Sequence, residues 1–178
     1  MMKRVFILGM TLIFLSGCVH AISRDVLRQV DKKITFSELI KDPNAYRGKV
    51  VLLGGVIVKA VNKKEGTLLE VYQTRLDREG RPVQLDISEG RFLALYKGLL
   101  DSEIYRKGRK VTIAGVVQGE KVLPLGEIEY HYPYLLIKEI HLWKEEKLPP
   151  CEPCLYPCYP WWWYPWCDPY WPYCRPYF

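Results

Sequence analysis

Cysteine is the residue in this chain with the most chemistry to offer, and its placement is uneven. Of six cysteines, Cys18 closes an N-terminal apolar run, and Cys151, Cys154, Cys158, Cys167 and Cys174 fall within the last 30 residues. Cys18 follows Leu15, Ser16 and Gly17. A thiol in that position can be alkylated to a diacylglycerol thioether, and the amine freed by cleavage can carry a further acyl chain such as palmitate. The residues before it suit that chemistry. Lys3 and Arg4 are basic, and Val5 to Leu15 is an almost wholly apolar run of 11 residues. A membrane-spanning helix needs about 20 such residues, whereas a basic start, a short apolar stretch and small residues before a cut mark a secretory signal. Residues 1–17 are therefore read as a signal peptide, with Leu15, Ser16 and Gly17 as the lipobox and Cys18 as the lipidated first residue of the mature chain. An ordinary signal peptide with a coincidental cysteine is the alternative. Two acyl chains, at about 0.8 kcal/mol per buried methylene, anchor a protein stably. Val19 stands where an aspartate would hold an enteric lipoprotein in the inner membrane, which points to the outer membrane.

The other five thiols suit disulfides better than a cofactor. Cys151 and Cys154 are separated by two residues, but c-type haem requires histidine after the second cysteine and Leu155 is there. A redox dithiol normally follows a βαβ unit, which is missing. A four-thiolate metal site would want a second close pair, and an extracytoplasmic compartment oxidises thiols. No metal and no cofactor are expected. Five is odd, so one thiol is left over and would allow a disulfide-linked dimer. The same tail, residues 148–178, is dense in proline and aromatics, including Trp161, Trp162, Trp163, Trp166 and Trp171. Prolines at this density forbid helices and central strands. Tryptophan favours membrane interfaces and stacks on sugars. The tail thus reads as a surface that contacts membrane, an envelope protein or a glycan, or as a collapsed extension.

No catalytic constellation emerges. His20, His131 and His141 have no metal-ligand spacing, and no Gly-x-Ser-x-Gly elbow or phosphate-cradling loop occurs. Glu70, Asp86, Glu89 and Glu127 fall near strand ends, where ordinary surface charge explains them. An enzyme is not expected. Cleavage before Cys18 removes two basic residues and no acid, lowering the formal charge from +6 to +4. That balance, with no long basic run, argues against nucleic acid as a partner.

The elements that would carry these groups are mostly strands. Val19 to Lys33 reads as a tether, partly helical, that chiefly provides distance from the bilayer, so 18–33 forms a lipidated segment. Thr35-Phe36-Ser37-Glu38 fits a capping box opening a short helix, which Asp42-Pro43 ends. Lys49 to Ala60 is β-branched and nearly continuous in apolarity, a buried strand; Gly54 and Gly55 within it suggest a bulge or sharp bend. Thr67 to Thr74 returns as a hairpin partner, with Leu69 and Val71 opposed to Leu68, Glu70 and Tyr72. Val83 to Ile87 extends a strand. Arg91 to Lys97 sets Phe92, Ala94 and Tyr96 against Leu93 and Leu95. Leu99 to Arg106 suits a short helix. Lys110 to Gln118 is a second strong strand, Gly119-Glu120-Lys121 a tight turn, Val122 to Ile128 a short strand and Tyr134 to Trp143 the last strand. Asp42 to Gly54 and Asp101 to Gly115 share a pattern, read as one helix–turn–strand device used twice. Residues 34–147 thus form a mainly β domain: a small OB-like barrel of five or six strands with one or two short helices, followed by the irregular tail. A sandwich is the alternative.

Several short motifs then occur in a telling order. After the lipobox come Gly54-Gly55-Val56-Ile57, Leu69-Glu70-Val71, Gly80-Arg81-Pro82, Ser88-x-Gly90-Arg91-Phe92, Tyr105-x-x-Gly108-Arg109-x-Val111-Thr112 and Gly126-Glu127-x-x-Tyr130. Across residues 1–143 this set resembles the starvation-inducible outer-membrane lipoprotein (Slp) family. The resemblance implies a lipid-anchored outer-membrane protein of the cell envelope, linked to starvation or envelope stress, with no family active site to carry over. The alternative is a periplasmic or surface module that binds glycan or peptidoglycan fragments.

Overall fold

The structure is a computed structural model, and it describes residues 20–145. These form two short α-helices, α1 (Arg24–Leu27) and α2 (Phe36–Lys41), a 3-10 turn (Pro43–Tyr46) and six strands. The strands are β1 (Val50–Lys63), β2 (Gly66–Leu76), β3 (Pro82–Val83), β4 (Arg91–Tyr96), β5 (Lys110–Leu125) and β6 (Ile128–Leu142). The sheet order is β1-β5-β6-β4-β2-β3, and β1 also pairs with β2, so five strands close into a ring. Pairing is antiparallel except between β4 and β6, which run parallel over Leu93–Leu95 and Tyr134–Leu136. This is the mainly β, five- to six-stranded architecture expected; one continuous sheet closes on itself, so the sandwich alternative does not hold.

Alternation along the strands sorts side chains into two apolar sets. Successive residues of a strand face opposite sides of its sheet. Leu69 and Val71 on β2, Phe92 and Ala94 on β4, and Val111 and Ile113 on β5 are fully buried in the main core. Helix α2 adds Phe36 and Leu39 to this core, and the Phe36 and Phe92 rings lie 6.2 Å apart. Burying each of these side chains other than Ala94 is worth about 1.5–3 kcal/mol. The opposite faces of β2 and β4 carry Leu68, Leu93 and Leu95, which gather with Tyr132 into a second cluster.

Helix α2 starts where its residues require. The Thr35 side chain accepts from the Glu38 N–H, and Glu38 accepts from the Thr35 N–H at 2.9 Å, which completes the capping box. Those bonds, the backbone one foremost, hold the Glu38 carboxyl below the usual carboxylate range. Thr35→Ala is expected to cost about 1 kcal/mol, read as a shift in denaturant midpoint. A depressed carboxyl stabilises the fold above its unfolded pKa, and that stabilisation fades as pH falls through the folded value. The midpoint difference between wild type and Glu38→Gln should therefore shrink as pH is lowered below about 4.3. A difference independent of pH would contradict this.

Five local expectations change. Residues 20–33, expected chiefly to provide distance, lie against the sheet. Ile22 is 1 % exposed, Val30 bridges to Val50, and the Asp31 N–H donates to the Val50 carbonyl. Gly54 and Gly55 are not the bulge; the register shift in β1 falls between Ile57 and Lys59. The two glycines mark the stretch where β1 pairs with β2 and β5 at once, and a side chain at Gly55 would collide with the Tyr72 carbonyl. Residues 99–106 form turns instead of a helix. Asp101 Oδ1 takes the Glu103 N–H at 2.8 Å, a local bond that competes with helix. Leu99 and Ile104 are exposed, and the segment is held by Leu100, which is buried, and by Tyr105, which packs against the core. The strand expected over 83–87 stops at Val83, because Gln84 adopts φ +52. Finally, Gly119 does not reverse the chain. It takes φ +111 at a register shift within β5, and the strand continues to a hairpin turn at Gly126, φ +66. The short strand expected at 122–128 is the end of β5, and β6 begins earlier than Tyr134.

The two similar segments face each other. Val50 to Val56 pairs antiparallel with Val116 to Lys110, and Gly48 and Gly108 both take positive φ just before their strands. The shared part of the device is thus turn and strand; the helical part appears only in the first copy.

Candidate functional site

Two features of the described residues bear on function: the seat of the N-terminal segment and a groove on the outside of the ring. The seat includes His20, the first described residue. His20 Nδ1 accepts from the Ile22 N–H at 3.1 Å, and the Ala21 N–H donates to the Glu79 carbonyl at 3.1 Å. Ser23 donates through its N–H and hydroxyl to both carboxylate oxygens of Glu139, at 3.0 and 2.7 Å. The turn that receives this segment is built by Asp77, whose Oδ1 accepts from the N–H groups of Glu79 and Arg81 at 2.9 and 2.8 Å. Beneath it, Thr112 is fully buried; its hydroxyl donates to the Gly80 carbonyl and accepts from Trp143 Nε1 at 2.9 Å. Arg81 lies over the Trp143 ring at 5.0 Å, and His141 meets that ring edge-on at 4.6 Å.

The groove arises because β5 and β6 outrun the ring. Their pairing continues through Leu125 and Ile128, whereas β1 pairs with β5 only as far as Val116 and β4 pairs with β6 only at Tyr134–Leu136. The excess is a two-stranded ribbon. Tyr132 on the ribbon is 2 % exposed, packed with Leu68 and Leu93. Between ribbon and sheet lies a cavity of about 340 Å³ lined by Lys59, Val61, Lys63, Leu68, Glu70, Leu93, Leu123, Pro124 and Tyr132. Glu70 Oε1 accepts from Arg91 Nη1 at 2.7 Å and from the Tyr132 hydroxyl at 3.3 Å. That bond to Glu70 raises the Arg91 pKa, while burial first, then the Glu70 charge, raises that of the Tyr132 hydroxyl. Tyr130, whose ring lies 4.6 Å from that of Tyr132, accepts the Arg91 N–H through its hydroxyl. Glu70→Ala would leave Arg91 and Tyr132 without their shared acceptor. It is expected to lower unfolding free energy by about 1–3 kcal/mol, with Glu70→Gln losing less. Equal stability of wild type and Glu70→Ala would mean that the triad contributes nothing.

Asp86, Glu89 and Glu127, read as surface charge, are all exposed. Glu89 accepts from the Ser37 hydroxyl, Asp86 lies in the loop after β3, and Glu127 lies at the ribbon tip. His131 Nδ1 pairs with Glu120 at 3.0 Å. Among the described residues, no group of three or more His, Cys, Asp or Glu could hold a metal ion. Leu15, Ser16, Gly17 and Cys18, the five tail cysteines and Trp161, Trp162, Trp163, Trp166 and Trp171 all lie outside the described residues. Sequence reading missed Arg91, Tyr132 and the two lysines as partners in one place. The alternation of Tyr130, Tyr132 and Tyr134 was the available signal.

These features define a class: a small mainly β protein with a closed five-strand ring and a seated N-terminal segment. Residues 15–171 match the family described as the outer membrane lipoprotein Slp family. The chain is also similar to "Outer membrane protein Slp" of Escherichia coli (strain K12), with 30% identity over 145 residues, covering 80% of this chain and 76% of that protein. The chain therefore belongs to the outer membrane lipoprotein Slp family, and its place is the lipid-anchored one at the outer membrane.

Proposed function

We propose that the protein is a non-enzymatic lipoprotein whose body is held close against the outer membrane by acyl chains on Cys18. The observation that carries this reading is how near in sequence Cys18 lies to the seated segment. Cys18 precedes His20, whose ring lies beside Gly80, by two residues, and Ala21, bonded to the Glu79 carbonyl, by three. Two residues reach at most about 7 Å when fully extended. An acylated Cys18 would leave the Asp77–Arg81 turn and Trp143 near headgroup level. Arginine and tryptophan suit that depth, the first for anionic lipid and the second for the interface.

The test is limited trypsin digestion of membrane vesicles. Cleavage after Arg78 should be slow in wild type. It should accelerate when about ten Gly/Ser residues are inserted between Val19 and His20, a spacer long enough to lift the body. Equal rates would contradict the close seat. A role in starvation or envelope stress is supported by the family resemblance, and it requires that the protein accumulate as growth ceases. A second reading, a ligand-binding module, is favoured by the groove beneath the ribbon.

A further inference from the structure

We propose that this groove binds a single-chain anionic amphiphile: one aliphatic chain ending in a carboxylate or phosphate. The inference deepens the binding-module reading and is independent of acylation at Cys18. Three observations support it. The first is the lining. Leu68 and Leu93 on the sheet and Leu123 and Pro124 on the ribbon present aliphatic walls, and Val61 continues them along β1. The one aromatic in the lining, Tyr132, is almost wholly buried, and the Tyr130 ring packs against it. The lining thus offers no open aromatic face for a sugar to stack on, and the surface suits a hydrocarbon chain better than a glycan.

The second observation is charge. Lys59 and Lys63 alternate with Val61 on β1, so all three project from the same side of the strand. Both lysines are exposed and, among the described residues, neither has an ion-pair partner. The one carboxylate in the lining, Glu70, stands opposite Lys59 across β1–β2, yet it is engaged by Arg91 and the Tyr132 hydroxyl. The rim therefore carries two uncompensated positive charges beside an apolar trough. That pairing matches an anionic head joined to an apolar tail. The third observation is size. A volume of about 340 Å³ falls at the lower end of ligand cavities, enough for one chain and too small for two.

The test uses the full mature chain carrying Cys18→Ser, so that no acyl group of its own competes and no detergent is needed. The probe is cis-parinaric acid, a fluorescent fatty acid, with its methyl ester and a long-chain alkyl phosphate as competitors. The expected result is saturable binding of one molecule per chain. The alkyl phosphate should displace it, and the methyl ester should bind at least about tenfold more weakly. The double variant Lys59→Ala/Lys63→Ala should lose about tenfold in affinity without a change in melting temperature. Leu123→Glu, on the exposed ribbon wall, should lose at least as much, by placing a negative charge over the trough. Binding unchanged by all three substitutions would place the probe elsewhere, the aromatic tail included, and overturn the proposal. So would equal affinity for acid and ester, or displacement by a peptidoglycan fragment but not by the alkyl phosphate.

Discussion

Gly55→Ala is expected to destabilise the chain by more than about 3 kcal/mol, at the severe end of single substitutions. Gly55 is paired on both sides, with Gln73 of β2 and Val111 of β5. A methyl group there would fall inside contact distance of the Tyr72 carbonyl, and the neighbouring obstacles are backbone as well. A flexible side chain could swing away; a carbonyl held in a strand ladder cannot move without breaking its hydrogen bonds. Ring closure depends on this stretch, because β1 bridges β2 and β5 only here. Gly48→Ala is the control. It has open space around it but φ +81, so its cost should be that of the left-handed backbone alone, about 1–2 kcal/mol. Denaturant unfolding of the two variants beside wild type separates the cases. If Gly55→Ala unfolds no earlier than Gly48→Ala, the close approach of β1 and β2 is wrong.

Cys18→Ser should produce the largest change in behaviour, with almost no change in the stability of the body. The hydroxyl of serine is not a substrate for thioether formation, so both the acyl chains and the processing that depends on them are lost. Each buried methylene contributes about 0.8 kcal/mol, so losing two or more chains removes membrane affinity by many orders of magnitude. In cell fractionation, the wild type should follow the outer membrane and Cys18→Ser should accumulate as soluble or unprocessed protein. The body should melt as before, because no described residue is a cysteine. If the variant stays with the outer membrane, attachment resides elsewhere, and the tail tryptophans become the first candidates.

How far the sequence revealed the fold follows from how local each cause was. The Thr35–Glu38 box and the Asp42–Pro43 stop were readable because their partners lie within a few residues. The two faces of β2 and β4 were readable from alternation alone: Leu69 with Val71 and Phe92 with Ala94 became core, while Leu68 and Leu93 became the second cluster. The errors came where a distant partner decides. Gly119 looks like a turn residue, yet it kinks a strand beside Asn44 and Arg47 of the 3-10 region. Residues 20–33 look polar and detached, yet Ile22 buries its side chain and Ser23 finds Glu139, 116 positions away. The groove was invisible for the same reason. Lys59, Glu70, Leu93 and Tyr132 share no motif, and only ring closure and the overlong ribbon bring them together.

The most direct test of the lipid-anchor account is intact-mass spectrometry of the protein extracted from outer membranes. The expected mass is that of a chain beginning at Cys18 and carrying a diacylglyceryl group, with a further acyl chain on the new amine. Treatment with base should remove the ester-linked chains and lower the mass accordingly. A chain beginning elsewhere, or one beginning at Cys18 with a free thiol, would contradict the account.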